Sequence, residues 1–396
     1  MVDPTAPVPL PSCKLGNMKR PSRLDVSEKA LGGPSTPVGV NAAVAVGGSG
    51  GGGGGEASSS SSASAAKAVA ARAISPSGKP ALTVSPRGLK LPNAEEVLFT
   101  LDPSDLQVME TIGRGACSVV KRAIHKTTGI TLALKVFRLF DASRRDMLTE
   151  EVKSLYKTDC PAIVRFYGAF FRDGSISVAL EYMDGGSLAN VMEQVGVVPE
   201  SVLANCAFQI LWGMAYLKHE RRIHRDIKPQ NILINSRGQV KLTDFGVSKE
   251  LMSSVAMART FVGSFRYMAP ERLQNSPYTY TSDIWSLGIV LYELATGKNP
   301  YLHSQTDEPE TVGGESSYID VVQAVMESAS PALPGPPGAF SDSFRAFIGT
   351  CLSKEPDKRG SPEMLLLSPW LTSNGAVGLE AAQANVKKWI DSLQAR

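Results

Sequence analysis

An acid, an ammonium and a carboxamide stand close together at Asp226, Lys228 and Asn231, and a second acid, Asp244, follows Asn231 by thirteen residues. Hard carboxylate and amide oxygens suit Mg²⁺, which makes Asn231 and Asp244 a candidate pair of metal ligands. Asp226 can take or orient a hydroxyl proton, and Lys228 can meet a phosphate oxygen. Upstream lies a glycine-rich run, Ile112-Gly113-Arg114-Gly115-Ala116-Cys117-Ser118-Val119-Val120. Glycine lets backbone amides approach phosphate oxygens that a β-carbon would obstruct. Alone, such a run is equally an ordinary β-turn. Lys135 adds a second ammonium. Phosphoryl transfer asks for this kind of set, since it depends on positioning and charge neutralisation more than on covalent chemistry.

These groups need elements to hold them. Leu132 to Phe137 reads as a strand, with Lys135 on the face shared by Ala133 and Phe137. A helix is expected from about Ser143, which can cap it. Its apolar face is Met147, Leu148, Val152 and Leu155, and Glu151 falls within that face. A carboxylate in an apolar stripe needs a cation, so Lys135–Glu151 is assigned as an ion pair. Ile176 to Met183 is expected to be a strand running into a connector, and Asp184-Gly185-Gly186-Ser187 then opens a helix capped by Asp184 or Ser187. Helical periodicity dominates beyond Pro199, as in Val202–Leu217 and Ile284–Leu294. The expected fold class is therefore α+β, bilobal, with a small β-rich lobe followed by a larger helical one. The stretch 303–317 reads as an exposed insertion, and Ala381 to Leu393 as a short amphipathic helix within a C-terminal extension, 372–396.

Residues 1–95 carry a glycine run, Gly50–Gly55, and a serine run, Ser58–Ser62. Such a segment buries too little apolar surface to offset the entropy of ordering, so a disordered tail is expected. The formal net charge of +3 gives no general attraction to nucleic acid. No apolar run is long enough to span a bilayer. The prolines of the first residues do not suit a secretion signal. Five scattered cysteines form no CxxC pair, which disfavours zinc or a disulfide framework and fits a reducing compartment. The cytoplasm is the expected location, with the nucleus as a second.

Taken together, the glycine run, Lys135, Ile223-His224-Arg225-Asp226-Ile227-Lys228-Pro229-Gln230-Asn231, Asp244-Phe245-Gly246, Ala269-Pro270-Glu271 and Asp283-Ile284-Trp285 resemble the protein kinase superfamily. The resemblance spans about 106–371. It implies ATP and Mg²⁺ as cofactors, with Asp226, Lys228, Lys135 and Glu151 in the chemistry and Asn231 and Asp244 on the metal. It further implies adenine held by Val120 and Ala133 above, Leu233 below and backbone groups of Glu181 and Met183, with Leu180 behind the ring. Asp283 is expected to brace the catalytic loop, and Arg359 to pair with Glu271. Ser118 stands where the third glycine is usual.

Within that superfamily the chain is most similar to the MAP kinase kinases of plant type. The likeness rests on Ala179 to Leu188, on Phe261 to Met268, on Glu271-Arg272-Leu273 and on Ser282 to Gly288. Ser254 and Thr260, with five residues between them, match the spacing of that family's activating phosphosites. The family implies transfer to Thr and Tyr of a MAP kinase, and activation by a MAP kinase kinase kinase at Ser254 and Thr260. Phosphates there would lie near Arg225 and could order the loop. Lys19, Arg20 and Arg23 followed by Leu24 and Val26 fit a MAP kinase docking peptide and equally a chance cluster. Ala269 and Ser264 depart from the usual Ser and Thr. Two other readings are a kinase of the Ste20 or MAP kinase kinase kinase group and a pseudokinase scaffold.

Overall fold

The computed structural model describes residues 101–115, 118–138, 152, 155, 158–244, 265–302, 318–336 and 338–395, together with the backbone of three short strands between 83 and 99. Those strands, β1 (Thr83–Ser85), β2 (Gly88–Lys90) and β3 (Val97–Phe99), form an antiparallel sheet. Two of them fall inside the stretch expected to lack structure. The alternation in Leu82 to Leu89 is short and broken by Pro86 and Gly88.

The small lobe is a five-stranded antiparallel sheet of β4 (Leu106–Arg114), β5 (Ser118–His125), β6 (Thr131–Arg138), β7 (Phe166–Arg172) and β8 (Ser175–Glu181), in the order β4-β5-β6-β8-β7. Lys135 therefore lies on an inner strand, paired with Val120 on one side and Val178 on the other. That strand extends one residue beyond the expected bounds at each end. The helix expected from Ser143 is described only at Val152 and Leu155, both helical and buried.

The large lobe is helical. It comprises α1 (Leu188–Val195), α2 (Glu200–His219), the small ladder of β9 (Ile232–Ile234) with β10 (Val240–Leu242), α3 (Pro270–Leu273), α4 (Tyr280–Thr296), α5 (Tyr318–Glu327), α6 (Asp342–Cys351), α7 (Pro362–Leu365), α8 (Pro369–Ser373) and α9 (Leu379–Gln394). Ser187 caps α1 in a reciprocal box with Asn190. Asp184 instead accepts from Ser236, so only one of the two candidate caps serves the helix. The centre of the lobe is α4, buried along nearly its whole length. At Gly288 a β-carbon would sit 2.7 Å from Leu352 Cδ2 and 2.8 Å from Cys351 Cβ, so the glycine lets α6 close on α4. The insertion at 303–317 lies outside the described residues. Among the described residues no helix is long and apolar enough to cross a membrane.

Candidate active site

The glycine run is a hairpin. Gly113 faces Val120 and Arg114 faces Val119 across β4 and β5, and Gly115 N–H donates to Ser118 O at 2.8 Å. A β-carbon on Gly113 would meet Val120 at an ordinary 3.6 Å. Protein packing therefore does not require that glycine, and the open backbone is what approach of a phosphate does require. Ile112, the first residue of the run, is exposed on β4. Ala116 and Cys117 lie outside the described residues.

Lys135 is 9% exposed, and its Nζ meets Asp244 Oδ1 at 2.6 Å, across the two lobes. A buried ammonium held this way is not a solvated strand residue. The partner assigned from the sequence, Glu151, lies outside the described residues. Burial alone would raise the Asp244 carboxyl, but the charge and hydrogen bond of Lys135, with His224 and Lys228 nearby, hold it below the ordinary value. Asp244 is thus an anion, with Oδ2 open to a cation among the described residues. Its φ of 62° is left-handed, a region Asp tolerates better than most residues.

Asp226 is set by a local cluster. Its Oδ2 accepts from Lys228 Nζ at 2.8 Å and from Asn231 Nδ2 at 2.7 Å, and Asn231 Nδ2 also donates to Asp226 O at 2.9 Å. Committing the amide nitrogen leaves Asn231 Oδ1 as the atom a metal can take. Asn231 ends a short 3-10 turn and leads directly into β9, while β10 ends two residues before Asp244. Thr243 N–H donates to Asn231 O at 3.0 Å, so one ladder sets both candidate ligands.

The loop before Asp226 is held under strain. Arg225 has φ 72°, which is costly for a bulky side chain. Both of its backbone polar groups are gripped: Asp283 Oδ1 accepts from Arg225 N–H at 2.9 Å, and Arg272 Nη1 donates to Arg225 O at 2.8 Å. Asp283 Oδ2 accepts from His224 N–H at 2.7 Å. Burial pushes the His224 imidazole down, against the pull of Asp283 and Asp226, so it is neutral; the Asp226 amide lies 3.3 Å from its Nδ1. The expected brace by Asp283 is present. So is the Glu271–Arg359 pair, bidentate at 2.8 and 3.0 Å and joined by Ser282 Oγ at 2.6 Å.

Ala133 and Leu180 face each other across β6 and β8, and Leu180 is buried. Glu181 commits both side-chain oxygens to Lys241 Nζ, at 2.8 Å each, and its backbone N–H donates to Arg165 O at 2.8 Å. Met183 is buried, and Leu233 bridges to Ser187 beneath the connector. Sequence reasoning missed Lys241 and Asn235, both buried polar residues behind the connector. A Lys alternating with Val240 and Leu242 was the available signal. Ser254 and Thr260 lie outside the described residues.

The protein kinase domain family matches residues 106–371, and this chain belongs to it. ATP and a divalent metal are the general requirements of that domain. The similarity to known proteins narrows the class. The chain is 43% identical to mitogen-activated protein kinase kinase 2 of Arabidopsis thaliana, over 72% of this chain and 80% of that one. It is 44% identical to mitogen-activated protein kinase kinase 1 of the same plant, over 69% and 76%. It is 36% identical to the dual specificity mitogen-activated protein kinase kinase dSOR1 of Drosophila melanogaster, over 79% and 85%. The chain is a member of the MAP kinase kinase family.

Proposed function

We propose that this protein is a Mg²⁺- and ATP-dependent MAP kinase kinase that phosphorylates Thr and Tyr in the activation loop of a MAP kinase. The observation that carries the catalytic part is the convergence of Lys135, Asp244, Asn231, Lys228 and Asp226 through contacts of 2.6–2.8 Å and one backbone bond of 3.0 Å. One carboxylate and one carboxamide oxygen fit an ion that keeps waters and phosphate oxygens as its other ligands. A bound divalent ion neutralises phosphate charge. Lys135 orients the α- and β-phosphates, with Glu151 as the ion-pair partner assigned from the sequence. Lys228 meets the γ-phosphate, and Asp226 takes or orients the proton of the acceptor hydroxyl. The hairpin amides from Gly113 to Val120 cover the phosphates. Val120, Ala133, Leu180 and Leu233 enclose the adenine, and backbone groups of Glu181 and Met183 bond its edge.

The relatives' names support the choice of substrate. An upstream MAP kinase kinase kinase would act at Ser254 and Thr260, in the cytoplasm with the nucleus as a second site. The test is phosphosite mapping of a kinase-dead MAP kinase after incubation with the activated protein, with Asp226→Asn as control. Phosphate on both Thr and Tyr of the activation loop, absent with the control, is expected. Transfer to another kinase kinase instead would place the protein in a different tier. No difference from the control would leave only a scaffold. Replacing Ser254 and Thr260 with Ala should block activation by the upstream kinase; unchanged activation refutes the switch.

A further inference from the structure

The helix α9 packs on α2, and its backbone touches a turn that is bonded to the connector. The turn is 235–239, between β9 and β10. At its tip Gly238 has φ 74°, and a β-carbon there would stand 2.5 Å from Lys387 N and 3.0 Å from Lys387 Cα. No side chain fits between the turn and α9. From the other side Gln209 of α2, fully buried, donates to Gly238 O at 3.1 Å and accepts from Val240 N–H at 2.9 Å. The tip is thus clamped between α2 and α9. The helix is seated independently through buried Ala382 and Val386, and by Asn385 Nδ2 donating to Asn205 Oδ1 at 3.2 Å.

The base of the turn grips the connector. Asn235, 3% exposed, accepts on Oδ1 from Arg237 and Gln239 N–H, and its Nδ2 lies 3.8 Å from Met183 Sδ. Ser236 donates through N and Oγ to the two oxygens of Asp184 at 2.7 and 2.6 Å. Gly185 N–H donates to Ile234 O, and Ile234 N–H to Gly186 O, at 3.1 and 2.9 Å. Residues 183–186 therefore bond to residues 234–236 at every step.

We propose that α9, through Gly238, Asn235 and Ser236, positions the connector that receives the adenine; these are positioning residues for nucleotide binding. This rests on the reading above that backbone groups of Glu181 and Met183 bond the adenine edge. A preorganised receptor binds more tightly because less ordering remains for the ligand to impose. The relay acts on the adenine end alone, since the triphosphate is held by Lys135, Asn231, Asp244 and the hairpin.

The test compares the full chain with Gly238→Ala, Val386→Ala, Ser236→Ala and Ser236→Thr. Dissociation constants are measured for Mg-ATP and for Mg-tripolyphosphate, which lacks the adenine. The Ala variants should weaken ATP about fivefold and leave tripolyphosphate within about twofold. KM for ATP should rise in parallel at constant kcat, and Ser236→Thr should restore wild-type affinity. Equal weakening of both ligands would reduce the relay to general stability, and unchanged ATP affinity in folded variants would abolish it. If Gly238→Ala does not fold, Val386→Ala carries the α9 arm. An unaltered chain that binds ATP no better than tripolyphosphate sinks the adenine reading itself, a result visible before any variant is made.

Discussion

Replacing Asp283 with Asn separates positioning from chemistry. The two carboxylate oxygens each hold one amide of the catalytic loop, at 2.7 Å for His224 and 2.9 Å for Arg225. Asn keeps one acceptor and turns a donor toward the second amide. A hydrogen bond to a charged group contributes about 1.5–3 kcal/mol, and a buried N–H left without a partner adds its own penalty. A loss of roughly 2–3 kcal/mol is expected. It falls on Arg225, whose left-handed backbone is the strained point of the loop. Relaxation of that strain moves the next residue, Asp226. Expressed wholly in the transition state, 2–3 kcal/mol lowers kcat about 30- to 150-fold. KM for ATP should stay within about threefold, because Lys135 and the connector make no contact with Asp283. Initial rates of phosphate transfer across an ATP series, with a thermal melt to verify folding, measure both. A folded variant with kcat within about threefold of wild type would show that the two amide bonds do not position Asp226.

Lys135→Met should lower kcat/KM for ATP by at least about a hundredfold, since a preorganised charge on the phosphates is lost; stopped-time radiolabel transfer reads it. Arg359→Met leaves Glu271 buried beside Ser282 without its cation, and should cost about 3–5 kcal/mol in urea unfolding. Gly288→Ala should destabilise by about 1–3 kcal/mol through overpacking against Leu352 and Cys351, with kcat preserved in the folded fraction. Burial works to raise the Glu271 carboxyl, but Arg359 and Ser282 hold it below 4.5 in the folded chain. Its stabilising contribution is therefore complete above 4.5 and is lost as pH falls through the lowered folded value. Urea midpoints between pH 6 and 3 should fall more steeply for wild type than for Glu271→Gln.

Most of the site was legible because its residues are close in sequence. Asp226, Lys228 and Asn231 lie within six residues, in a run that the kinase likeness singled out. The strand carrying Lys135 was readable as a short apolar run, and α2 and α4 from their period, although their ends extended beyond the apolar residues. Contacts across long separations were harder to read. Lys135 with Asp244 spans 109 residues, and Lys241 with Glu181 spans 60. Glu271 with Arg359 was readable only through the family likeness. Asp184 and Ser187 offered the same capping chemistry, and the choice between them was decided by Ser236, which lies 52 residues beyond Asp184. The strands at 83–85 and 88–90 were hidden by the composition around them.

The β9–β10 ladder divides the cleft's electrostatics unequally. Its three residue pairs fix the distance between the two oxygen donors from within the large lobe. Tilting the small lobe leaves that distance unaltered and changes only how far the ammonium on β6 reaches. Part of the cleft's charge is thus fixed within one lobe and part is contributed by the other, so the spacing of the Asn231 and Asp244 side chains does not depend on where the small lobe stands.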